Sequence, residues 1–207
     1  MPQATQVDLS LISLHIEPTP NPATLKFCFS EEVIDEPIEF SSAAAAESSP
    51  LASKIFGFPW TNSVLLAPKF IAVTKQDWVD WSYLAEPLSG MIREHLNQKI
   101  PIFLERKERA HDEDQSEEEC LDNGNLIHEK DSELVRQIKK AIDRDIRPVV
   151  AYDGGDVHFA ELTSEGILYV KFKGACAGCP GRSQTLKNGI EVRLKELFPQ
   201  INEVIGI

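Results

Sequence analysis

The run Ile167-Leu-Tyr-Val-Lys-Phe-Lys-Gly174-Ala-Cys176-Ala-Gly-Cys179-Pro-Gly-Arg182 carries a strand pattern into a pair of cysteines and out toward a helix start. Ile167 to Phe172 alternates as a half-buried strand does, and Val157 to Leu162 alternates ahead of it across Thr163-Ser-Glu-Gly166, which predicts a β-hairpin. Pro180 lacks a backbone donor and fits the first turn of a helix. A short turn in a Cys-x-x-Cys run bends the chain so that both sulfurs face one centre, and Ala177 and Gly178 leave them uncovered. A helix N-terminus beside Cys179 favours thiolate over thiol, because its free N–H groups and partial positive charge stabilise an anion. Cys176 and Cys179 are therefore the candidate ligands or redox groups of the chain.

The ligand count limits what two thiolates can hold. Iron–sulfur clusters and structural zinc take about four protein ligands. The remaining cysteines are Cys28 and Cys120. Cys28 lies in the strand-like Leu25-Lys-Phe-Cys-Phe29 and reads as a small core side chain. Cys120 sits in Asp112-Glu-Asp-Gln-Ser-Glu-Glu-Glu-Cys-Leu-Asp122, where surrounding acids oppose thiolate formation. Four thiolates are reached most simply by pairing two chains, each giving Cys176 and Cys179 across a two-fold axis. Two other uses stay open. A dithiol oxidoreductase also places Cys-x-x-Cys between strand and helix, but it needs a larger βαβ framework upstream. A structural zinc site would need His158 or His128, and neither has ligand spacing to another donor.

The chain has 207 residues, 42% of them hydrophobic, enough for two domains with real cores. Its formal net charge of -12 opposes non-specific binding to nucleic acid or to anionic membrane, which leaves proteins as the expected partners. No run is long enough to span a membrane, and the start has neither secretory nor transit-peptide character, so a reducing cytosol is the expected compartment.

Along the first half, Leu9–Ile16, Leu25–Phe29 and Ile38–Phe40 read as strands, with the prolines of Glu17-Pro-Thr-Pro-Asn-Pro22 breaking between the first two. The alanines within 41–50 suit a helix, Leu51–Phe56 suits another, and Val64–Ala67 with Phe70–Thr74 forms a hairpin around Pro68-Lys69. Leu84, Leu88, Met91, Ile92 and Leu96 recur at helical spacing, which predicts a helix over Trp81–Asn97 with Pro87 in its first turn and Glu94-His95 on its surface. Trp78 and Trp81 are assigned to packing. The second half reads helix, strand, strand, helix, strand: Leu134 to Ile146 ended by Pro148, the hairpin, a helix marked by Leu186, Ile190, Leu194 and Leu197, and Val204-Ile205. The expected fold is α+β, as two small domains over 9–104 and 131–207, with an acidic flexible linker over 105–130. Lys171, Lys173, Arg182 and Lys187 gather near the cysteines, where they offset a negative centre or are simply solvated.

Three stretches together resemble one family. Ile146-Arg-Pro-Val-Val-Ala-Tyr-Asp-Gly-Gly-Asp-Val157, Gly174-Ala-Cys-Ala-Gly-Cys-Pro180 and Thr185-Leu-Lys-Asn-Gly-Ile-Glu191 look like the NifU C-terminal domain. Glu17-Pro-Thr-Pro-Asn-Pro-Ala-Thr-Leu-Lys-Phe27 resembles the N-terminal domain that precedes it in Nfu-type scaffold proteins. The resemblance implies a non-enzymatic iron–sulfur scaffold or carrier. It implies a 4Fe-4S cluster shared by Cys176 and Cys179 of two chains, a homodimer on cluster binding, a donor scaffold upstream and apo iron–sulfur proteins as acceptors. The chain departs from the family at Gly181-Arg182, where small hydroxyl residues often follow, which changes the hydrogen bonding open to the sulfurs.

Overall fold

The computed structural model describes residues 13–104, 133–177 and 183–207, and side chains within these except for residues 183–187. The acidic linker, Cys120, His128 and Cys179 lie outside them, so the expectation of a flexible spacer falls outside the described residues.

The first domain is a five-stranded antiparallel sheet in the order β1-β2-β5-β4-β3, from β1 (Leu14–Pro18), β2 (Thr24–Phe29), β3 (Ile38–Phe40), β4 (Thr61–Ala67) and β5 (Phe70–Lys75). Side chains on successive strand residues point to opposite faces. Phe27, Phe29, Val64, Leu66, Ile71 and Val73 form one face and pack on α1 (Pro50–Phe56) and α2 (Trp81–Asn97) through Leu51, Ile55, Leu88, Ile92 and Leu96. Cys28, Leu65, Ala67, Phe70 and Ala72 form the other face, and Ala151 of the second domain packs on it. Both faces of the sheet are thus covered, although its strands are antiparallel and antiparallel sheets commonly leave one face to water.

Several local expectations meet tertiary structure. Ala45–Ser48 is a single 3-10 turn, and the helix begins only at Pro50, because the Ser49 hydroxyl caps it by accepting from the Ala52 amide. Pro87 lies in the interior of α2, beyond its first turn. It is exposed, as is Tyr83 four residues earlier, so the carbonyl that loses its donor lies on the solvent side of the helix. Trp81 packs on the core and meets Trp60 edge-on at 6.0 Å, but Trp78 is 67% exposed and is no packing residue. His95 is not on the surface: it is fully buried.

The second domain has a three-stranded sheet, β6 (Gly155–Leu162), β7 (Ile167–Gly174) and β8 (Glu203–Gly206), with β6 and β7 antiparallel and β8 parallel to β7. Its core joins Ile138, Ile142, Ile146 and Val150 to Val157, Leu168, Val170, Ile190, Leu194 and Val204. Pro148 does not end the first helix. α3 (Glu133–Ala141) passes through a π turn at Ile142–Ile146 into α4 (Arg147–Tyr152). Pro148 falls in the first turn of α4, where its missing N–H costs little. α5 (Ser183–Leu197) then leads to β8, giving the expected helix, strand, strand, helix, strand order.

Burial holds the His95 imidazole below its ordinary value of 6.5, so the fold keeps it neutral while the unfolded chain takes up a proton. Its contribution to stability is complete above about 6.5 and falls as pH drops toward the lower folded value. Thermal melts across that range should lose stability on acidification, and His95→Leu should flatten the part of the slope that His95 contributes.

Candidate cluster-binding site

The site begins where the β6–β7 hairpin closes. Gly155 pairs with Gly174 at the end of the ladder, and the Ala175 amide donates to the Gly154 carbonyl at 3.1 Å. The Ala177 amide donates to Gly174 at 3.0 Å, which folds 174–177 into a turn with Cys176 at its third position. Gly174 has φ +63, and a Cβ there would lie 2.6 Å from Leu65 Cδ2 and 2.7 Å from the Gly154 carbonyl oxygen. Only glycine meets both demands cheaply. A Cβ on Gly155 would overlap Cys176 Sγ, so the second glycine of Asp153-Gly-Gly-Asp156 is the floor on which the cysteine side chain rests.

Asp156 ties this floor to the helices. It is 3% exposed and takes two hydrogen bonds from the Arg147 guanidinium, at 2.8 and 3.0 Å. That bidentate pair raises Arg147 above its ordinary value. His158 Nε2 lies 2.7 Å from the second Asp156 oxygen, but not at hydrogen-bond geometry.

The first domain reaches the same turn. Glu39 Oε1 accepts from the Gly174 amide at 2.8 Å, Asn21 Nδ2 donates to the Ala175 carbonyl at 3.2 Å, and Lys26 Nζ donates to the Tyr152 carbonyl at 3.0 Å. Burial pushes the Glu39 carboxyl up, opposed by the Gly174 amide and by Lys173 and Lys171. Those two lysines, read from the sequence as offsetting a negative centre or as simply solvated, act electrostatically on this half-buried carboxylate. The proline-rich run acts as a mount for Asn21: Thr19 Oγ1 lies 2.9 Å from both the Asn21 and the Thr24 carbonyl oxygens, which share its one proton, and the Ala23 amide donates to Asn21 Oδ1.

Cys176 is half-buried in the turn that leaves β7. Cys179 lies outside the described residues, and with it the expected pairing of sulfurs. Cys28 is a buried strand residue, but its thiol has a polar partner, donating to Glu17 Oε2 at 3.3 Å. Burial, together with that carboxylate, pushes the Cys28 thiol up to about 12. Glu17 is drawn down to about 2, first by Lys26 and then by the Cys28 thiol.

Residues 14–99 match the model of the scaffold protein Nfu/NifU N-terminal domain, and residues 138–205 match that of the NifU-like domain. The chain belongs to the Nfu/NifU scaffold family. It is 34% identical over 99% of its length to the human protein called NFU1 iron-sulfur cluster scaffold homolog, mitochondrial, and covers 75% of that protein. It is 34% identical over 94% of its length to NifU-like protein 5, mitochondrial, of Arabidopsis thaliana, spanning 66% of it. It is 32% identical over 95% of its length to a NifU-like protein of Schizosaccharomyces pombe, spanning 73% of it. The chain therefore spans about two thirds to three quarters of the length of these relatives. The human and Arabidopsis names overturn the expectation of a cytosolic protein, because both place these family members in mitochondria. Among the described residues no helix is long and apolar enough to cross a membrane.

The Nfu/NifU turn and its docking sheet should respond together to single changes. Glu39→Ala removes a charge-assisted hydrogen bond, worth about 1.5–3 kcal/mol, from the Gly174 amide. Hydrogen exchange at that amide, followed by NMR, should quicken by about ten-fold or more. Unchanged protection would mean that the docked arrangement does not persist in solution.

Proposed function

We propose that this chain is a carrier that holds a 4Fe-4S cluster between two copies, through Cys176 and Cys179 of each, and passes it to apo iron–sulfur proteins. The observation that carries the reading is the seat of Cys176, on a turn with its sulfur against Gly155, in a chain of the Nfu/NifU scaffold family. The donor set fits the cargo. Four thiolates suit a cluster, and each chain offers two in the motif.

Carriage needs no acid or base. A cluster bridging two chains at an exposed turn leaves by ligand exchange when an acceptor offers its own cysteines. The reading is accordingly non-enzymatic, with a homodimer formed on loading, a donor scaffold upstream and apo-proteins downstream. We assign the functional units to 9–104 and 131–207, joined by the acidic linker over 105–130. The first unit supports the cysteine turn through Asn21 and Glu39, and it selects acceptors or steadies the dimer.

Anaerobic reconstitution with iron and sulfide, read by native mass spectrometry and visible absorption, tests the assignment. The expected product is a dimer with four irons and four sulfides, in keeping with a cluster held by about four thiolates. Cys176→Ala and Cys179→Ala should each abolish it, while Cys28→Ser and Cys120→Ser should retain it. Retention by Cys179→Ala would refute the ligand set, and a zinc-bound monomer or a reversible disulfide would favour one of the other uses of the motif.

A further inference from the structure

A second group of donors stands on the outer hairpin of the first domain. β1 and β2 run antiparallel with His15 opposite Cys28 and Glu17 opposite Lys26. Glu17 is two residues from His15, so the strand alternation puts imidazole, carboxylate and thiol on one face. His15 Nε2 lies 3.1 Å from Glu17 Oε1, Cys28 Sγ lies 3.3 Å from Glu17 Oε2, and the three ligand atoms are all within 4.8 Å of one another. Zinc bonds of about 2.0–2.3 Å at tetrahedral angles put ligand atoms roughly 3.3–3.6 Å apart. Both separations to Glu17 are near those edges and run to its two oxygens, so the carboxylate lies between the imidazole and the thiol, and the imidazole-to-thiol distance stays within the 4.8 Å that bounds the group.

We propose that His15, Glu17 and Cys28 bind one borderline-soft divalent metal ion, such as zinc or ferrous iron, at a site separate from Cys176 and Cys179. The nitrogen and sulfur donors select against magnesium and calcium, which take oxygen ligands. The site is open from outside: the His15 and Glu17 side chains are 60% and 43% exposed, while Cys28 forms the floor. Three protein donors leave one position for water or a passing ligand.

Lys26 is the competing cation, with Nζ 2.9 Å from Glu17 Oε2. It need not leave. Its ammonium also donates to the Tyr152 carbonyl and lies over the Phe70 and Tyr152 rings at 5.4 and 5.5 Å, which hold it when the carboxylate turns to the metal. On binding, the Cys28 thiol gives its proton to solvent and the thiolate joins the ion, so the incoming double charge is met by the thiolate and the Glu17 carboxylate.

The test uses the full chain carrying Cys176→Ser, Cys179→Ser and Cys120→Ser, so that Cys28 is the only sulfur ligand of the cysteine type left. The apo-protein is titrated anaerobically with cobalt(II) as the spectroscopic probe, then with zinc as competitor. The expected result is one cobalt per chain with a thiolate-to-cobalt charge-transfer band, displaced by zinc, lost in Cys28→Ser and weakened in His15→Ala and Glu17→Gln. His15 is exposed, so its variant separates ligation from folding. Absence of the band in a chain with native circular dichroism, or a band unchanged by His15→Ala and Glu17→Gln together, would overturn the proposal and leave a hydrogen-bonded cluster only. Because the cluster ligands are absent throughout, either result is independent of the cluster assignment.

Discussion

A close approach at one glycine organises this molecule. Gly174 lies against Leu65 and the Gly154 carbonyl at a distance no larger residue permits, and there the end of the cysteine hairpin meets the second face of the first domain's sheet. The approach brings the Gly174 amide to Glu39 and the Ala175 carbonyl to Asn21. The two residues before Cys176 are thereby held from both sides, by their own hairpin and by the other domain. Lys26, with 8% of its side chain exposed, completes the contact by placing its charge between Glu17, the Tyr152 carbonyl and two aromatic rings. A buried ammonium is tolerable only with this many partners.

The strands and helices of both domains were legible because their apolar residues repeat at periods of two or 3.6, as in Leu25–Phe29 and over Trp81–Asn97. The points that misled are those where a local rule yields to tertiary context. Pro148 reads as a helix stop, but the π turn before it shifts the hydrogen-bond ladder so that the proline begins a new helix. His95 reads as a surface residue by its polarity, yet it lies among buried apolar neighbours of α2. The docking was partly legible too. Val64-Leu-Leu-Ala67 and Phe70-Ile-Ala-Val73 are apolar on both faces, which an antiparallel hairpin with one wet face does not need. Asn21, Lys26 and Glu39 gave weaker signals, a polar side chain in a proline turn and two charges inside apolar strands, and their roles depend on contacts from more than a hundred residues away in sequence.

In the candidate site, the Asp153-Gly-Gly-Asp156 turn and residues 174–177 of the cysteine run form one structure. The glycines provide the approach and the floor, and Asp156 locks that floor to α4 through Arg147. The two described cysteines stand in different environments. Cys28 is buried beside a carboxylate, which raises its thiol, whereas Cys176 is half-buried just past the end of β7, whose last residues include Lys171 and Lys173. The proposed thiolate-bound cargo would enter the second environment more readily than the first.

Sharing of one cluster between two chains is the central claim, and subunit mixing tests it most directly. Wild-type chains of ordinary mass are mixed with wild-type chains carrying a heavy-isotope label, reconstituted anaerobically and weighed by native mass spectrometry. If both copies must supply thiolates, every cluster is found in a dimer, and dimers of mixed label carry a single cluster. Clusters on monomers, or two clusters in one mixed dimer, would show that each chain holds its cluster alone, and would contradict the account.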